Sequence, residues 1–265
     1  MFFAYFSAKV SPFSGQTELK FAEKGGHGLR KITLGVLLAL ACALALRAPA
    51  AVPAGTEEQL TLEDDTPMVA LTFDDGPRPD TTARLLDELA LRQVPATFFL
   101  VGSRIPGNEA LVQRMQAEGH QVGVHSYSHI FINALPAHQF DFEVGQSRTQ
   151  LTEVLGEQAF WLRPPYGILD SSVKKRADSP IILWSVDPED WKDHDVSRIT
   201  KAVLDKVSDG DIILFHDIYD SSVTAAVQVV DALTARGYSF ATARQLLQAR
   251  GISPENGCVY HRAKS

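Results

Sequence analysis

Two adjacent carboxylates, Asp74 and Asp75, end a short apolar run and are followed directly by Gly76-Pro77. Apolar residues alternate with smaller or polar ones between Val69 and Phe73, a pattern that predicts a β-strand, and Gly-Pro predicts a turn after it. Two carboxylates at the end of a buried strand are costly unless cations compensate their charges. A metal ion could compensate one of them and an arginine the other. Taken alone, the stretch is also compatible with a simpler interpretation, an exposed acidic turn.

Two histidines four residues apart, His125 and His129, also follow an apolar run. This spacing lets both imidazoles reach one ion from a single turn of chain, although two surface histidines are the simpler interpretation of the pair alone. Joined to one carboxylate, they would make a two-histidine, one-carboxylate site with open positions, suited to a divalent metal and a water. Either carboxylate of the aspartate pair could ligate, which would leave the other free as a base.

Three further apolar runs end in residue types that do chemistry. They lead into Arg163-Pro164-Pro165-Tyr166-Gly167, Asp187-Pro188-Glu189-Asp190-Trp191 and Leu214-Phe215-His216-Asp217. Five of the predicted strands therefore end in candidate catalytic residues, which is hard to obtain by chance.

The elements that must position these residues repeat one theme, a short apolar run followed by a helical stretch. The predicted strands are 68–73, 96–101, 121–125, 159–162, 181–186, 211–215 and 238–241. The predicted helices are 81–92, 108–118, 137–155, 171–177, 198–207, 222–236 and 243–249. This alternation predicts an α/β fold, with parallel strands inside and helices outside. No Gly-x-Gly-x-x-Gly follows the first strand, which argues against a dinucleotide-binding sheet. We therefore expect a distorted (β/α) barrel of about seven strand-helix units, with catalytic residues at the carboxyl ends of the strands.

These five segments resemble, in order and spacing, the five motifs of the polysaccharide deacetylases, carbohydrate esterase family 4, which share the NodB-homology domain. The resemblance covers residues 66–247. Two positions depart from the family pattern, since Val124 stands where many members have Asn and Ile130 where Pro often follows the second histidine. The resemblance implies the distorted barrel that the element count also predicts.

The resemblance implies a role for each residue of the aspartate and histidine motifs. Asp74 matches the catalytic base, and Arg163 matches the arginine that pairs with and orients that base. Asp75, His125 and His129 match the metal ligands. One divalent metal ion is thereby implied, with zinc as the first expectation and cobalt, nickel or manganese as alternatives.

The remaining motifs are implied to bind the acetyl group and to protonate the leaving group. Tyr166 matches the residue whose backbone N–H helps to hold the oxyanion. Asp190 matches the aspartate that tunes the catalytic histidine, and His216 matches that histidine, the general acid. Trp191 and Leu214 match walls of a small acetyl pocket.

The implied activity is hydrolysis of N-acetyl groups on a polysaccharide that contains N-acetylglucosamine, such as peptidoglycan or chitin-like oligomers, by attack of a metal-bound water on the acetyl carbonyl. Two alternatives use the same scaffold. An O-acetyl esterase of the xylan type would use the same residues with different loops, and a catalytically silent carbohydrate-binding protein would need none of them. The expected partner is an acetylated polysaccharide or oligosaccharide, and we expect a monomer.

The net charge and the amino-terminal segment limit the expected location and binding partners of the protein. The formal net charge is −7, and the first 50 residues hold six of the 25 basic residues but only two of the 32 acidic ones. The rest of the chain is therefore more acidic than the total, which argues against nucleic acid or another polyanion as the main partner. Arg30-Lys31, the apolar run 32–46 and Ala48-Pro49-Ala50 are typical of a signal peptide.

We accordingly expect an exported protein, periplasmic, in the cell wall or secreted, that contacts a membrane only if the amino-terminal segment stays uncleaved as an anchor. The expected organisation is a signal peptide or anchor at 1–50, a linker at 51–66, the catalytic domain at 67–250 and a tail at 251–265. The two cysteines, Cys42 and Cys258, are too few for a cysteine-built metal site.

Overall fold

The first strand of the fold, β1, is central to the sheet and is buried along its whole length. The computed structural model describes residues 66–156 and 158–264, so the predicted export segment 1–50 and nearly all of the predicted linker lie outside the described residues. β1 spans Met68–Asp74, and all seven of its residues are buried. A strand covered on both faces needs apolar residues at successive positions, and the segment Met-Val-Ala-Leu supplies them.

Parallel strands flank β1 on both sides. β2 (Thr97–Leu100) and then β3 (Gln121–Val124) extend the sheet on one side. β5 (Ile212–His216) pairs with β1 on the other, with Asp74 opposite His216. Since all of these strands are parallel, their carboxyl ends lie at one edge of the sheet, as the sequence predicted.

The sheet continues from β3 around to β5 through shorter pairings. Leu162 bridges Val124 on one side and Ile181 on the other. The segment that begins with β4 (Ile181–Ile182) then reaches β5, where Val186 bridges Ile213. The predicted strand 159–162 was too long, because only Leu162 makes a strand contact there. β6 (Ser239–Ala241) completes the predicted set by pairing with Met68–Ala70 of β1.

Helices cover the outside of the strands, as predicted. Their bounds are α1 Pro79–Arg92, α2 Glu109–Ala117, α3 Ala137–Phe140, α4 Ser147–Leu155, α5 Ser171–Arg176, α6 Val196–Leu204, α7 Asp220–Ala235 and α8 Ala243–Ala249. A π-helical segment, Asp141–Gln146, joins α3 to α4 into one continuous stretch over the predicted 137–155. Within the described part of the chain, none of the helices combines the length and apolarity that crossing a membrane would require.

Asn108, the first residue of the predicted helix 108–118, occupies the N-cap position of α2 without capping through its side chain. Its amide donates instead to the carbonyl of Arg104, at 2.8 Å. Caps through side chains occur where Asp170 precedes α5 and Asp195 precedes α6. The residue type was therefore correct for a helix start, but a neighbouring carbonyl competed for the side chain.

The carboxy-terminal residues, predicted as a tail, extend the sheet. β7 (Val259–Tyr260) pairs in parallel with β4. Arg262 forms an ion pair with the buried carboxylate of Asp211, which lies next to the first residue of β5. No apolar run in the sequence predicts β7, because this strand is only two residues long and depends on β4 for its pairing.

Aromatic rings stack across the central strands. Phe73 is fully buried, and its ring centroid lies 5.3 Å from that of Phe98 on β2 and 5.8 Å from that of Phe215 on β5. These contacts hold β1 between its two neighbours immediately before Asp74. The core thus fixes the strand end from which the first candidate site residues project.

Replacing Phe73 tests this role. We expect Phe73→Ala to lower the free energy of unfolding by about 3–5 kcal/mol, because the substitution removes a buried ring and leaves a cavity. Chemical denaturation followed by circular dichroism measures the change. Leu91→Ala is the control, since that side chain is 78% exposed and its loss should cost less than about 0.5 kcal/mol. Equal losses in the two variants would contradict the packing argument.

Candidate active site

A candidate metal centre lies where the ends of β1 and β3 meet. One ligand atom from each of Asp75, His125 and His129 lies within 4.8 Å of the other two. The Asp75 Oδ1 atom is 3.1 Å from His129 Nε2 and 3.6 Å from His125 Nε2. The same oxygen is buried and lacks a well-formed hydrogen bond among the described residues. An orphaned carboxylate oxygen facing two imidazole nitrogens fits a divalent cation.

The electrostatics of these three residues suit a cation. Burial pushes the pKa of the Asp75 carboxyl upward, but interaction with His129 and the charges of nearby imidazoles outweigh burial and hold the pKa below its usual range. Burial lowers the pKa of His125, against the opposing effect of the two aspartates. An ionised carboxylate and a neutral imidazole are the protonation states in which these groups bind a metal.

The orientation of His125 is fixed by a backbone carbonyl. His125 Nδ1 lies 2.7 Å from the carbonyl oxygen of Arg163, and the ring is only 2% exposed. Because that carbonyl can only accept, Nδ1 carries the proton and Nε2 presents its lone pair toward Asp75. The polypeptide after Leu162 thus selects the tautomer that a metal ligand needs.

The backbone around the cluster adopts unusual conformations. Seven non-glycine residues in the described part of the chain have positive φ, and five of them lie in the site loops: Asp75, Ser126, His129, Tyr166 and Glu189. Such conformations cost energy and persist only where the surroundings enforce them. Here they turn the chain sharply at each strand end, which lets neighbouring residues project in different directions.

A buried ion pair holds the other aspartate. Asp74 Oδ1 accepts a hydrogen bond of 2.7 Å from Arg163 Nη1, and the Asp74 residue is 2% exposed. Arg163 is fully buried and also donates to the hydroxyl of Thr72 and to the carbonyls of Ile182 and Leu183. The remaining carboxylate oxygen, Asp74 Oδ2, lies 3.6 Å from His125 Nε2, on the side of the metal centre.

A second histidine–carboxylate pair lies at the end of β5. His216 Nδ1 is 2.8 Å from Asp190 Oδ1, and the other oxygen of Asp190 accepts the His216 backbone N–H at 2.8 Å. Burial alone would lower the pKa of His216. The hydrogen bond with Asp190 and the negative charges of Asp190, Asp74 and Asp75 outweigh it and raise the pKa to about 9. The His216 imidazole is therefore protonated at neutral pH.

Comparison with known proteins gives one family. Residues 61–179 match the model of the family described as polysaccharide deacetylase. The chain is 35% identical over 189 residues to a chitooligosaccharide deacetylase from Sinorhizobium fredii, and the alignment covers 65% of this chain and 88% of that protein. The chain belongs to the polysaccharide deacetylase family.

Two other members of the family show how far the similarity extends. Peptidoglycan-N-acetylmuramic acid deacetylase PdaC of Bacillus subtilis is 36% identical over 190 residues, which is 72% of this chain but only 41% of PdaC. A solved structure of PdaC matches with a TM-score of 0.69 over 72% of this chain and 94% of the solved chain, at 36% identity. A family 4 acetyl xylan esterase from Clostridium thermocellum, solved with a cobalt ion, matches with a TM-score of 0.70 at 29% identity, over 75% of this chain and all (100%) of that one.

The resemblance inferred from the five motifs is thus confirmed, and so is the distorted barrel of seven strand-helix units that these deacetylases share. The chain spans about two fifths of the length of PdaC and of the Listeria monocytogenes peptidoglycan deacetylase PgdA, at 41% and 38%.

The three residues predicted to contact the substrate, Tyr166, Leu214 and Trp191, differ in their exposure and contacts. The Tyr166 ring lies 4.8 Å from that of His129, centroid to centroid, and its hydroxyl donates to the His129 carbonyl. Leu214 is buried and pairs in register with Thr72, which precedes Asp74 by two residues on β1. Trp191 follows Asp190 and is 52% exposed. The role of the Tyr166 backbone N–H at the oxyanion and the roles of Leu214 and Trp191 as walls of an acetyl pocket stay predictions.

Glu143 supports the loop of metal ligands and was not anticipated from the sequence. Its buried carboxylate accepts the backbone N–H groups of Tyr127 and Ser128 at 3.0 and 2.8 Å. The Ser126 hydroxyl accepts the N–H of His129. The glutamate lies on the π-helical segment, and nothing in the local sequence distinguishes it from the other acidic residues of that stretch.

Asp217 was also missed as a site residue. Its fully buried carboxylate accepts a hydrogen bond from Thr82 and lies where a Cβ on residue 76 would be. Glycine is therefore required at position 76, directly after the aspartate pair. Burial and the charge of Asp75 raise the pKa of Asp217 to about 7, against the hydrogen bond from Thr82.

The support from Glu143 can be tested by metal binding. We expect Glu143→Gln to weaken zinc binding to the chain by about 10- to 100-fold, the effect typical of removing an outer-sphere partner. The reason is that the neutral amide holds the ligand loop less strongly than the carboxylate does. Competition titration with a chromogenic chelator measures the affinity. Glu153→Gln, an exposed change on α4, is the matched control, and equal zinc affinities for the two variants would contradict the proposed support.

The coupling of His216 to Asp190 can be tested by titration. In the metal-free chain, NMR should place the His216 pKa near 9, and Asp190→Asn should lower that pKa toward the ordinary histidine value of about 6.5. An acid must be protonated to act, so activity should fall as pH rises through this pKa, and the fall should begin at lower pH in the variant. Asp193→Asn, on the same loop, should leave the His216 titration in place. A pKa near 6.5 in the unsubstituted chain would contradict the assignment.

Proposed function

We propose that this chain is a metal-dependent hydrolase that removes N-acetyl groups from polysaccharide containing N-acetylglucosamine. One observation carries the proposal. A carboxylate–imidazole cluster, a second carboxylate held by a buried arginine and a protonated histidine lie together at one edge of the sheet. These are the parts that hydrolysis of an amide requires: a site for a Lewis acid, a base and an acid.

Asp75, His125 and His129 would hold the metal. A bound divalent ion supplies Lewis acidity, which lowers the pKa of a coordinated water and polarises a carbonyl. Zinc suits two imidazoles and one carboxylate, and cobalt, nickel and manganese are alternatives. Cobalt is present in the structure of the related acetyl xylan esterase.

Asp74 acts as the base in this proposal. Arg163 occupies one of its oxygens, so only Oδ2, on the metal-centre side, remains to take a proton from the attacking water. The pairing also compensates the charge of the buried guanidinium, which would be costly without a counter-charge. Arg163 thus orients the base without itself touching the substrate.

His216 acts as the acid. An amine is a poor leaving group until it is protonated, so deacetylation of an amide needs a proton donor on the nitrogen side. The raised pKa of His216 supplies that donor, and Asp190 holds both the ring and the backbone of His216 in place. Tyr166 would contribute its backbone N–H to the oxyanion, and such a donor is worth about 3–4 kcal/mol in comparable sites. Trp191 and Leu214 would enclose the acetyl methyl group.

An exposed aromatic surface next to the metal ligands supports a carbohydrate substrate. Phe131 and Tyr166 are 54% and 51% exposed, and their rings stack with a centroid distance of 4.3 Å. Flat exposed rings can pack against the apolar faces of sugars. Related proteins are named for activity on peptidoglycan and on chitooligosaccharides. We infer an exported or cell-wall enzyme, acting as a monomer on an acetylated glycan.

A second candidate is hydrolysis of O-acetyl esters, favoured by the similarity to the acetyl xylan esterase. An ester needs less help from an acid, because an alkoxide leaves more readily than an amide anion. The short Asp190–His216 contact, which keeps the acid charged, therefore favours the amide over the ester.

Acetate release tests both candidates. We expect the zinc-loaded chain to release acetate from N-acetylglucosamine oligomers, and to lose this activity after chelation and regain it when metal is added back. Asp74→Asn should lower kcat by about 100-fold or more, the range for removing a general base. Enzyme-coupled detection of acetate measures both effects. Asp205→Asn, at the exposed end of α6, is the matched control.

Three outcomes would count against parts of the proposal. Full activity after metal removal would contradict the metal centre. Unimpaired turnover by Asp74→Asn would contradict the base. Release from acetylated xylan but not from N-acetylglucosamine oligomers would establish the ester activity instead.

A further inference from the structure

Two arginines line a depression beside the candidate active site. Arg78 follows the turn after β1, and Arg104 ends a 3₁₀ helix after β2. Together with Pro77, Pro79 and Ile218 they line a depression of about 280 Å³. Both side chains are exposed, so solvent and ligands reach the guanidinium groups.

Both guanidinium groups are tied to the backbone of the site loops. Arg104 Nη1 donates to the carbonyl oxygen of Asp75 at 2.7 Å. Arg78 Nη1 donates at 2.7 Å to the carbonyl oxygen of Ile218, two residues beyond His216. One arginine is therefore anchored at a candidate metal ligand and the other near the candidate acid. A ligand in this depression would therefore contact two side chains that are hydrogen-bonded to the loops carrying the candidate site residues.

Neither guanidinium is neutralised by a carboxylate from the described part of the chain. Eight arginines of residues 66–156 and 158–264 lie within 4.0 Å of a carboxylate oxygen: Arg84, Arg92, Arg114, Arg148, Arg163, Arg198, Arg250 and Arg262. Within the same residues, Arg78 and Arg104 each bond only to a backbone carbonyl. Each guanidinium therefore has further N–H donors available, and their planar arrangement matches the two oxygens of a carboxylate. Two such guanidinium groups in one depression make a site for an anion.

We propose that Arg78 and Arg104 bind a carboxylate carried by the substrate glycan close to its acetamido group. The inference rests on the proposed deacetylase function and specifies its substrate class. In muramic acid units the carboxylate is on the ether group at carbon 3, next to the acetamido group at carbon 2. Chitin-like oligomers have only a hydroxyl there. The arginine pair thus selects carboxylate-bearing glycan of the peptidoglycan type over neutral chitin-like glycan.

A purely structural role is the alternative, because each arginine also braces a loop of the site. The two roles differ in how their loss depends on the substrate. A brace affects every substrate by the same factor, whereas a carboxylate-binding pair affects only the charged one. Substitution by glutamine removes the charge and keeps an N–H donor for the backbone carbonyl, and substitution by lysine keeps the charge.

The experiment compares two substrates that differ only in charge. One is a tetramer of alternating N-acetylglucosamine and N-acetylmuramic acid, and the other is the same tetramer with its carboxylates converted to methylamides. The ratio of kcat/KM for the charged to the neutral tetramer is measured by acetate release with the zinc-loaded full-length chain. Dissociation constants for both tetramers are measured by calorimetry on the same proteins.

We expect the ratio to fall about threefold in Arg78→Gln and in Arg104→Gln, and about tenfold in the double variant, with the change mainly in KM, because exposed charge pairs are individually weak. Arg78→Lys and Arg104→Lys should restore part of the ratio. Raising the salt concentration should lower the ratio of the unsubstituted chain but not that of the double variant. Arg236→Gln is the matched control, since the side chain of this exposed arginine also bonds, among the residues that the structure describes, only to a carbonyl, that of Leu204.

The outcomes separate this inference from the proposed function. Equal losses on both tetramers would show that the arginines only brace the loops and would overturn the inference while leaving deacetylation intact. An unchanged ratio in the double variant would overturn it as well. If neither these tetramers nor the N-acetylglucosamine oligomers release acetate, the proposed function fails, and the ratio of the two dissociation constants for the tetramers then decides whether the arginines bind the carboxylate.

Discussion

The buried ion pair between Arg163 and Asp74 is the interaction on which the rest of the site depends. Two buried charges are costly, and removing one partner of such a pair typically costs about 3–5 kcal/mol. The guanidinium donates to Thr72 and Asp74 of β1 and to the carbonyls of Ile182 and Leu183 at the end of β4, so it joins strand ends that are distant in sequence. The Arg163 carbonyl also orients His125. One residue therefore positions the proposed base and a proposed metal ligand together, which makes the two roles structurally inseparable.

The two adjacent aspartates, Asp74 and Asp75, face different partners because the backbone turns between them. Asp74 ends β1 in extended conformation, whereas Asp75 has φ 76°, and its carboxylate therefore faces the histidines while that of Asp74 faces Arg163. The turn needs space, which glycine at position 76 provides above the buried carboxylate of Asp217. Adjacent carboxylates thus acquire different partners, and different partners are what permit one to bind a cation while the other takes a proton.

The sequence was sufficient for the residues that end strands and insufficient for those that support them. Asp74, Asp75, His125, Arg163 and His216 each follow an apolar run, so parallel pairing alone brings them to one edge. Support from Glu143, Asp217 and the arginines of the depression comes from contacts between segments far apart in the chain. The same holds for β7, which has no apolar run of its own. It also holds for the predicted strand 159–162, in which only Leu162 makes strand contacts. The local pattern of apolar residues predicts where a strand ends. The contacts that stabilise the residue after it come from packing between segments distant in sequence.

The acidity of the chain and a carboxylate-bearing substrate are compatible because they act over different distances. Net charge sets the field at long range, which salt screens within about 10 Å, whereas selectivity arises from groups in contact with the ligand. At the site itself four carboxylates, Asp74, Asp75, Asp190 and Asp217, are offset by Arg163 and by the protonated His216. The proposed metal ion would add further positive charge. An anionic group entering beside this cluster would still meet the aspartates, and Arg78 and Arg104, which have no carboxylate partner in the described part of the chain, lie where their charge offsets that repulsion. If the proposed function holds, the charges of these two arginines, rather than the net charge of the protein, would govern which acetylated glycan the chain accepts.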